Sequence, residues 1–403
     1  MAVPKIRFPE FSDDWKLCLL EDILTERNVK QTISEDAPLL SFTIEQGVIN
    51  PEDKKTNKRD FLMKDKSTKI FALTEVDDII YNPANLKFGA IHRNKLHRGV
   101  VSPIYAIFYT NQSPAFVEAL VRNPRFIKKS LTFLEGSVIK LMTLKPRDFV
   151  KMQVYIPSIE EQKRIADLLN KIDIVIARCQ TEIEKTKELK RGLLQKMFPK
   201  AGQNTPELRF PGFTEAWEQR KLGEVSERVK GNDGRMDLPT LTISAGSGWL
   251  DQKDRFSANI AGKEQENYTL LHKGELSYNH GNSKLAKYGA VFSLRTYEEA
   301  LVPRVYHSFK VIEADADYIE YLFATKLPDK ELGKLISSGA RMDGLLNINY
   351  DEFMGISISM PSIEEQKKIS SYLRSLDSII TLHQRELEKW KELKKGLLQQ
   401  MFV

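Results

Sequence analysis

From Ile165 onward, apolar residues fall at alternating steps of four and three: Ile165, Leu169, Ile172, Ile176, Cys179 and Ile183. The same rhythm returns near the end of the chain at Ile369, Leu373, Leu376, Ile380, His383 and Leu387. Such steps line one side of an α-helix and make the seam of a coiled coil. Each run opens on a Pro–Ser–Ile–Glu–Glu–Gln segment, in which Ser158 and Glu161, or Ser362 and Glu365, have capping-box spacing, and the preceding proline disfavours helix upstream. The pattern predicts helices over 158–198 and 362–402, about 60 Å each at 1.5 Å per residue. It has flaws: Lys190 and Lys394 fall on the seam, and Gly192 and Gly396 weaken the last turns.

Aligning 157–198 with 361–402 without gaps gives 25 identities in 42 positions. Upstream, "RFPEFSDDW" (7–15) returns as "RFPGFTEAW" (209–217). The chain is therefore a tandem duplication, with "PKAGQNTPE" (199–207) as linker. The roughly 150 residues before each helix are mixed α/β: "DDIIYNPAN", "GVVSPIYAIFYT" and "VIKLMTL" are strand-like runs, whereas "AFVEALVRNPRFIKKSL" and "DYIEYLFATKL" have helical spacing. They are diverged copies, since Tyr81-Asn82 matches Tyr278-Asn279, "KFGA" (87–90) matches "KYGA" (287–290), and "SPIYAIF" (102–108) parallels "PRVYHSF" (303–309). The expected architecture is two α/β domains separated by two long antiparallel coiled-coil helices, a pseudo-two-fold internal repeat. The alternative is two separate helices, each packed along its own domain.

Composition narrows the function less. A chain that is 41% apolar and 29% charged is an ordinary globular protein of more than one domain. No run is long enough to span a bilayer, and the first residues resemble neither a signal nor a transit peptide. Two cysteines, Cys18 and Cys179, make no framework, so a reducing cytoplasm is the expected location. No catalytic and no metal-binding residue stands out. "SAGSGW" (244–249) lacks the lysine of a phosphate loop, and "NPAN" at Asn82 lacks the second proline and the aromatic of an amino-methyltransferase signature.

Charge distribution is more informative. From Ile79 to Val117 there is no acidic residue, yet the stretch holds Lys87, Arg93, Lys95 and Arg98 beside His92 and His97. Its counterpart, Leu276 to Tyr297, is also acid-free and holds Lys284, Lys287 and Arg295; Arg304 and Lys310 follow. Cations interleaved with Tyr81, Asn82, Tyr278 and Asn279 suit a phosphate backbone and base edges. Arg341, after Ser337-Ser338-Gly339, and "KKTNKRD" (54–60) are further candidates on weaker grounds.

Together, "RFPGFTEAWEQRKLGEV", "PSIEEQKKI", "GLLQQMF" and the order domain, helix, domain, helix resemble the specificity (S) subunit of type I restriction–modification systems over essentially the whole chain. The resemblance implies a target recognition domain in 1–156, a first constant helix in 157–198, the linker, a second recognition domain in 208–360 and a second constant helix in 361–403. Each recognition domain would read half of a split double-stranded DNA site. The paired helices would fix the gap and dock the modification subunits, two in number, and the restriction subunits. S-adenosylmethionine would then belong to the modification subunits and ATP and Mg to the restriction subunits, with no cofactor in this chain. A coiled-coil scaffold that binds proteins only, and a fused methyltransferase or nuclease, are the competing classes.

Overall fold

Why the helix-opening segment and the "RFP…W" motif repeat together is answered by their contacts. A computed structural model describes residues 3–54, 69–133, 143–256, 262–281, 283–336 and 345–403. The chain divides into two compact units, Met1–Gln180 with Arg385–Val403, and Thr181–Gln384. In the first unit, Arg7 grips both carboxylate oxygens of Glu161 at 2.8 and 2.7 Å, and the Trp15 indole donates to the same group at 3.3 Å. In the second unit, Arg209 grips Glu365 at 2.7 and 2.8 Å. Only half of each predicted capping box forms. The Glu161 and Glu365 amides donate to Ser158 and Ser362 at 3.3 and 3.4 Å, while the carboxylates are committed to arginine, a stronger charge-assisted partner.

The glutamine that follows makes a second latch. Buried Gln162 accepts from the Ser113 amide at 3.2 Å and donates to the Pro157 carbonyl at 3.0 Å. Buried Gln366 treats the Asp315 amide and the Pro361 carbonyl alike, at 3.0 and 2.9 Å. Ser113 and Asp315 are the N-caps of the domain helices Pro114–Val121 and Ala316–Ala324. One hexapeptide thus ties a long helix to the domain before it.

The long helices run over Ile159–Lys196 and Ile363–Gln400, passing straight through Gly192 and Gly396. Each begins in one unit and ends in the other. In the first unit, Ile165, Ala166 and Leu169 share a core with Met401 and Phe402; in the second, Ile369, Leu373 and Leu376 share one with Leu193, Met197 and Phe198. The two helices pair antiparallel. Ile165, Leu169, Ile172, Ile183, Ile369, Leu373, Leu376 and Leu387 are buried, and Ile176 and Ile380 half-buried. The seam lysines are paired: Lys190 donates to both oxygens of Asp377 at 2.6 and 2.7 Å, and Lys394 donates to Asp173.

Each unit carries the same four-stranded antiparallel sheet. In the first its order is Leu24–Glu26, Ala106–Thr110, Ile79–Tyr81, Ile91–Arg93; in the second it is Ser226–Val229, His307–Val311, Leu276–Asn279, Ala290–Ser293. A strand after the motif pairs with the strand before the long helix, Lys16–Leu19 with Gln153–Ile156 and Glu218–Lys221 with Ser357–Met360. A hairpin, Ser41–Thr43 with Gly47–Ile49 or Leu241–Ser244 with Gly248–Asp251, lies beyond the sheet. The "SAGSGW" segment is the turn of that second hairpin. Of "VIKLMTL", all but Thr143 and Leu144 lies outside the described residues.

Candidate nucleic-acid interface

Strand register sorts the candidate residues by sheet end. Ile79 faces Arg93 while Tyr81 faces Ile91, and Leu276 faces Ser293 while Asn279 faces Ala290. Asn82 and Lys87, and Asn279, Lys284 and Lys287, therefore belong to one end of their sheets; Arg93, Lys95, Arg98 and Arg295 belong to the other. Arg304 joins the first group, because the loop before His307 leads into a strand that pairs with Tyr278. Arg341 and residues 55–60 lie outside the described residues.

At the first end, Tyr81 and Tyr278 are wholly buried and act from beneath. The Tyr81 hydroxyl donates to the Leu144 carbonyl at 2.9 Å, and that of Tyr278 to the Tyr288 carbonyl at 2.7 Å. Burial raises the pKa of both, so they stay neutral donors that fix loop backbone. Asn82 and Asn279 each close an Asx turn, accepting from the Ala84 and Gly281 amides at 3.0 Å. This is the structural use of "NPAN". Gly289, at φ +84°, closes the second loop where a Cβ would lie 2.5 Å from the Asn279 carbonyl oxygen. In the second unit this loop meets the hairpin turn around a groove of about 400 Å³, lined by Asn279, Lys284, Leu285, Gly246 and Arg255. The Asn279 amide donates to the Ile243 carbonyl at 3.3 Å, and Arg255 donates to it at 3.4 Å. In the first unit the hairpin turn rests on His92, whose Nε2 lies 2.7 Å from the Ile44 carbonyl oxygen.

At the opposite end the cations are already paired. Lys95 and Arg93 lie 3.0 and 3.4 Å from buried Glu118, Arg93 also binds Asp77, and Arg98 binds Glu75. Arg295 binds Asp317 at 2.6 Å and Glu320 at 2.9 Å. Burial pushes the Glu118 carboxyl up, but Lys95 and Arg122 outweigh it and hold the pKa below the usual value. At Glu320 burial wins over Arg295 and the pKa is raised. The acids come from outside the acid-free stretches, Glu75, Asp77 and Glu118 close by and Asp317 and Glu320 farther along the chain, so a gap in sequence is not a bare patch in space.

The order of elements, the latches and the crossed helix ends invite comparison with known folds. Residues 214–392 match the family of the type I restriction modification DNA specificity domain. The MjaVIII specificity subunit of Methanocaldococcus jannaschii is 24% identical over 62% of this chain and 61% of its own, and the MjaX specificity subunit, described as a putative type I restriction enzyme subunit, is 20% identical over 67% and 63%. The matched region thus spans about three-fifths of these curated relatives. The crystal structure of a type I restriction–modification S subunit from M. genitalium superposes with a TM-score of 0.60 over 100% of this chain and 99% of that one, at 12% identity. Because 1–180 repeats the plan of the matched region, the likeness extends to the whole chain. The chain resembles the type I specificity subunits, in sequence over residues 214–392 and in fold over its whole length.

In this chain, no group of three or more metal-ligating side chains occurs among the described residues, and no described helix is long and apolar enough to cross a membrane. The sequence reading passed over Gln162 and Gln366, although their repetition was visible. It also passed over Glu118 and Glu320, which absorb much of the cationic charge, and over Arg255, whose position depends on a hairpin fold that charge counting does not reveal.

Proposed function

We propose that this chain is the specificity subunit and non-catalytic reader of a type I restriction–modification assembly, recognising a bipartite double-stranded DNA target. Residues 1–156 read one half-site and 208–360 the other, through the sheet end that carries Asn82 and Lys87 or Asn279, Lys284, Lys287 and Arg304. Tyr81 and Tyr278 position these loops. Arg93, Lys95, Arg98 and Arg295 serve chiefly to seat each domain, with phosphate contact secondary. Helices 157–198 and 361–403 form the spacer and dock modification and restriction subunits, which bring S-adenosylmethionine, ATP and Mg. The observation that carries this reading is the division of likeness between the units: latches, strand order and helix ends are duplicated, whereas the loops at the reading end differ in sequence and length.

Adenine methylation mapped genome-wide, in cells expressing the modification subunit with and without this chain, tests the reading. A split motif that appears only with the chain is expected; an unchanged methylation map overturns it. A protein-only scaffold would bind its partners without regard to charge reversal at Lys87, Lys284 and Lys287.

A further inference from the structure

Leu285 and Phe88 are the two most exposed large apolar side chains described, at 70% and 63%, and Ile104 follows at 61%. Leaving a leucine or phenylalanine in water forgoes about 1.5–3 kcal/mol of burial. One such residue is ordinary surface scatter, but here exposed apolar residues recur in the same two loops of each unit, although Phe88 itself aligns with Tyr288 and not with Leu285. Phe88 stands in the connection between strands Ile79–Tyr81 and Ile91–Arg93, and Leu285 in the matching connection between Leu276–Asn279 and Ala290–Ser293. Ile104 and Val305, the latter 47% exposed, match each other in the neighbouring loop. Ala106 faces Tyr81 and His307 faces Tyr278, so in each unit both tips project from one sheet end.

The charge around them selects the partner. Lys87 lies 5.2 Å from the Phe88 ring, Lys284 precedes Leu285, Lys287 lies 5.1 Å from the Tyr288 ring, and Arg304 precedes Val305. Residues 82–90 and 283–289 contain no acid. An apolar tip set among cations suits a surface with anions at its rim and apolar groups within. A DNA groove is such a surface, with phosphates along its edges and thymine methyls and base faces inside.

We propose that Phe88 and Leu285 are base-contacting, specificity-determining residues, one for each half-site, delivering an apolar side chain into the groove between phosphate-bound lysines. This rests on the DNA-reading function proposed above and names the side chains that read. Phe88 differs in size and shape from Leu285, as two unlike half-sites require.

The test uses the full chain co-expressed with its modification subunits, with adenine methylation as readout. If the unaltered chain imposes no split motif, the functional reading itself fails. Given that motif, Phe88→Ala is expected to relax base preference in one half-site, with discrimination falling about 5- to 150-fold, while the other half-site stays sharp. Leu285→Ala is expected to do the reverse. The intact half-site in each case shows that the chain folded and assembled. On the purified complex, Lys87→Ala should weaken all sites alike and reduce the slope of log affinity against log salt by about one; Phe88→Ala should leave that slope unchanged. Phe88→Leu, which keeps an apolar tip, should retain more discrimination than Phe88→Ala. Both half-sites remaining sharp in Phe88→Ala and Leu285→Ala, or a uniform loss across sequences with a reduced salt slope, overturns the proposal. In duplexes with uracil for thymine, loss of the Phe88-dependent preference places the ring on a methyl group. A rise in 2-aminopurine fluorescence on binding, absent in Phe88→Ala, places it between bases.

Discussion

In the first unit Glu161 accepts from both Arg7 and Trp15, whereas in the second Glu365 accepts from Arg209 and the Trp217 indole nitrogen is buried without a partner among the described residues. Both tryptophans nevertheless meet the end of a long helix edge-on, Trp15 against Phe402 at 6.1 Å and Trp217 against Phe198 at 5.9 Å. The shared parts are therefore the arginine–glutamate pair and the aromatic socket, and the indole hydrogen bond is an addition in one copy. The comparison separates what the latch requires from what it tolerates. It also shows why the "W" of the motif recurs, as a ring that receives the helix end.

The largest effects should come from breaking that latch. Glu161→Ala and Glu365→Ala each leave a largely buried guanidinium without its paired carboxylate, a change worth about 3–5 kcal/mol. Glu161→Ala should cost more, because Trp15 loses its acceptor too. Native-state hydrogen exchange of the amides in 114–121 and 316–324 would measure each unit separately; equal losses would mean that the 3.3 Å indole bond contributes nothing. Phe402→Ala and Phe198→Ala, at about 3–5 kcal/mol each, test the crossing of the helix ends. Phe402, at the chain's C-terminus, should destabilise the unit that contains residue 15, and Phe198 the unit that contains residue 217. Each change confined to the other unit would refute the exchange.

The units also hide different histidines. His92 is held down to about 4 by burial and by Arg122, against the pull of Glu118. His307 is held down to about 4 by burial and, to a lesser extent, by His280 and Arg228. A folded pKa below the unfolded value of about 6.5 means that the unfolded chain binds the extra proton first. Stability from each site is thus complete above pH 6.5 and falls as pH drops from 6.5 toward 4, by at most about 3 kcal/mol at about 1.4 kcal/mol per pKa unit. Thermal unfolding between pH 7 and 4 should lose part of its pH dependence in His92→Gln, and in His307→Gln for the other unit. A profile unchanged by either substitution would contradict the burial of a neutral ring.

Much of this fold was written in periodicity. The four-and-three rhythm located both long helices, whereas Lys190 and Lys394 read as flaws in the seam and their pairing with Asp377 and Asp173 was not legible. The repeat of "RFP…W" with "PSIEEQ" suggested a common purpose, but the pairing of Arg7 with Glu161 spans 154 residues and no local rule reaches that far. The proposed reading surface was legible only in part. The acid-free stretches point to Asn82, Lys87, Asn279 and Lys284 at one sheet end and equally to Arg93 and Lys95, which lie at the other end and are ion-paired. Their partner, Glu118, follows the stretch directly and is brought back by a helix packed on the sheet. Exposure of Phe88 and Leu285 could not be read at all, since an apolar residue in a loop is as often buried as not.

The smallest predicted difference concerns the paired seam lysines. Asp377 accepts from Lys190 and, at 2.7 Å, from the buried Tyr321 hydroxyl. At the matching place in the first unit the residue is Ala119, two positions before Val121 as Tyr321 is two before Phe323. Ala119 lines a cavity of about 140 Å³ together with Asp173 and Lys394. The aspartates are partly exposed, at 40% and 44% of the side chain, so solvent screens the lysine pairs and each ion pair alone contributes below about 1 kcal/mol. Asp377→Ala also strands a buried hydroxyl and should cost about 2 kcal/mol, whereas Asp173→Ala should cost less than about 1. Ala119→Tyr offers the converse test: if the cavity is the space that Tyr321 fills in the other copy, the ring enters it, its hydroxyl reaches Asp173, and the cost of Asp173→Ala rises toward that of Asp377→Ala. A double-mutant cycle between positions 119 and 173, read by urea unfolding, measures that coupling directly. A coupling of zero would show that the two units solve the same polar seam position in unrelated ways.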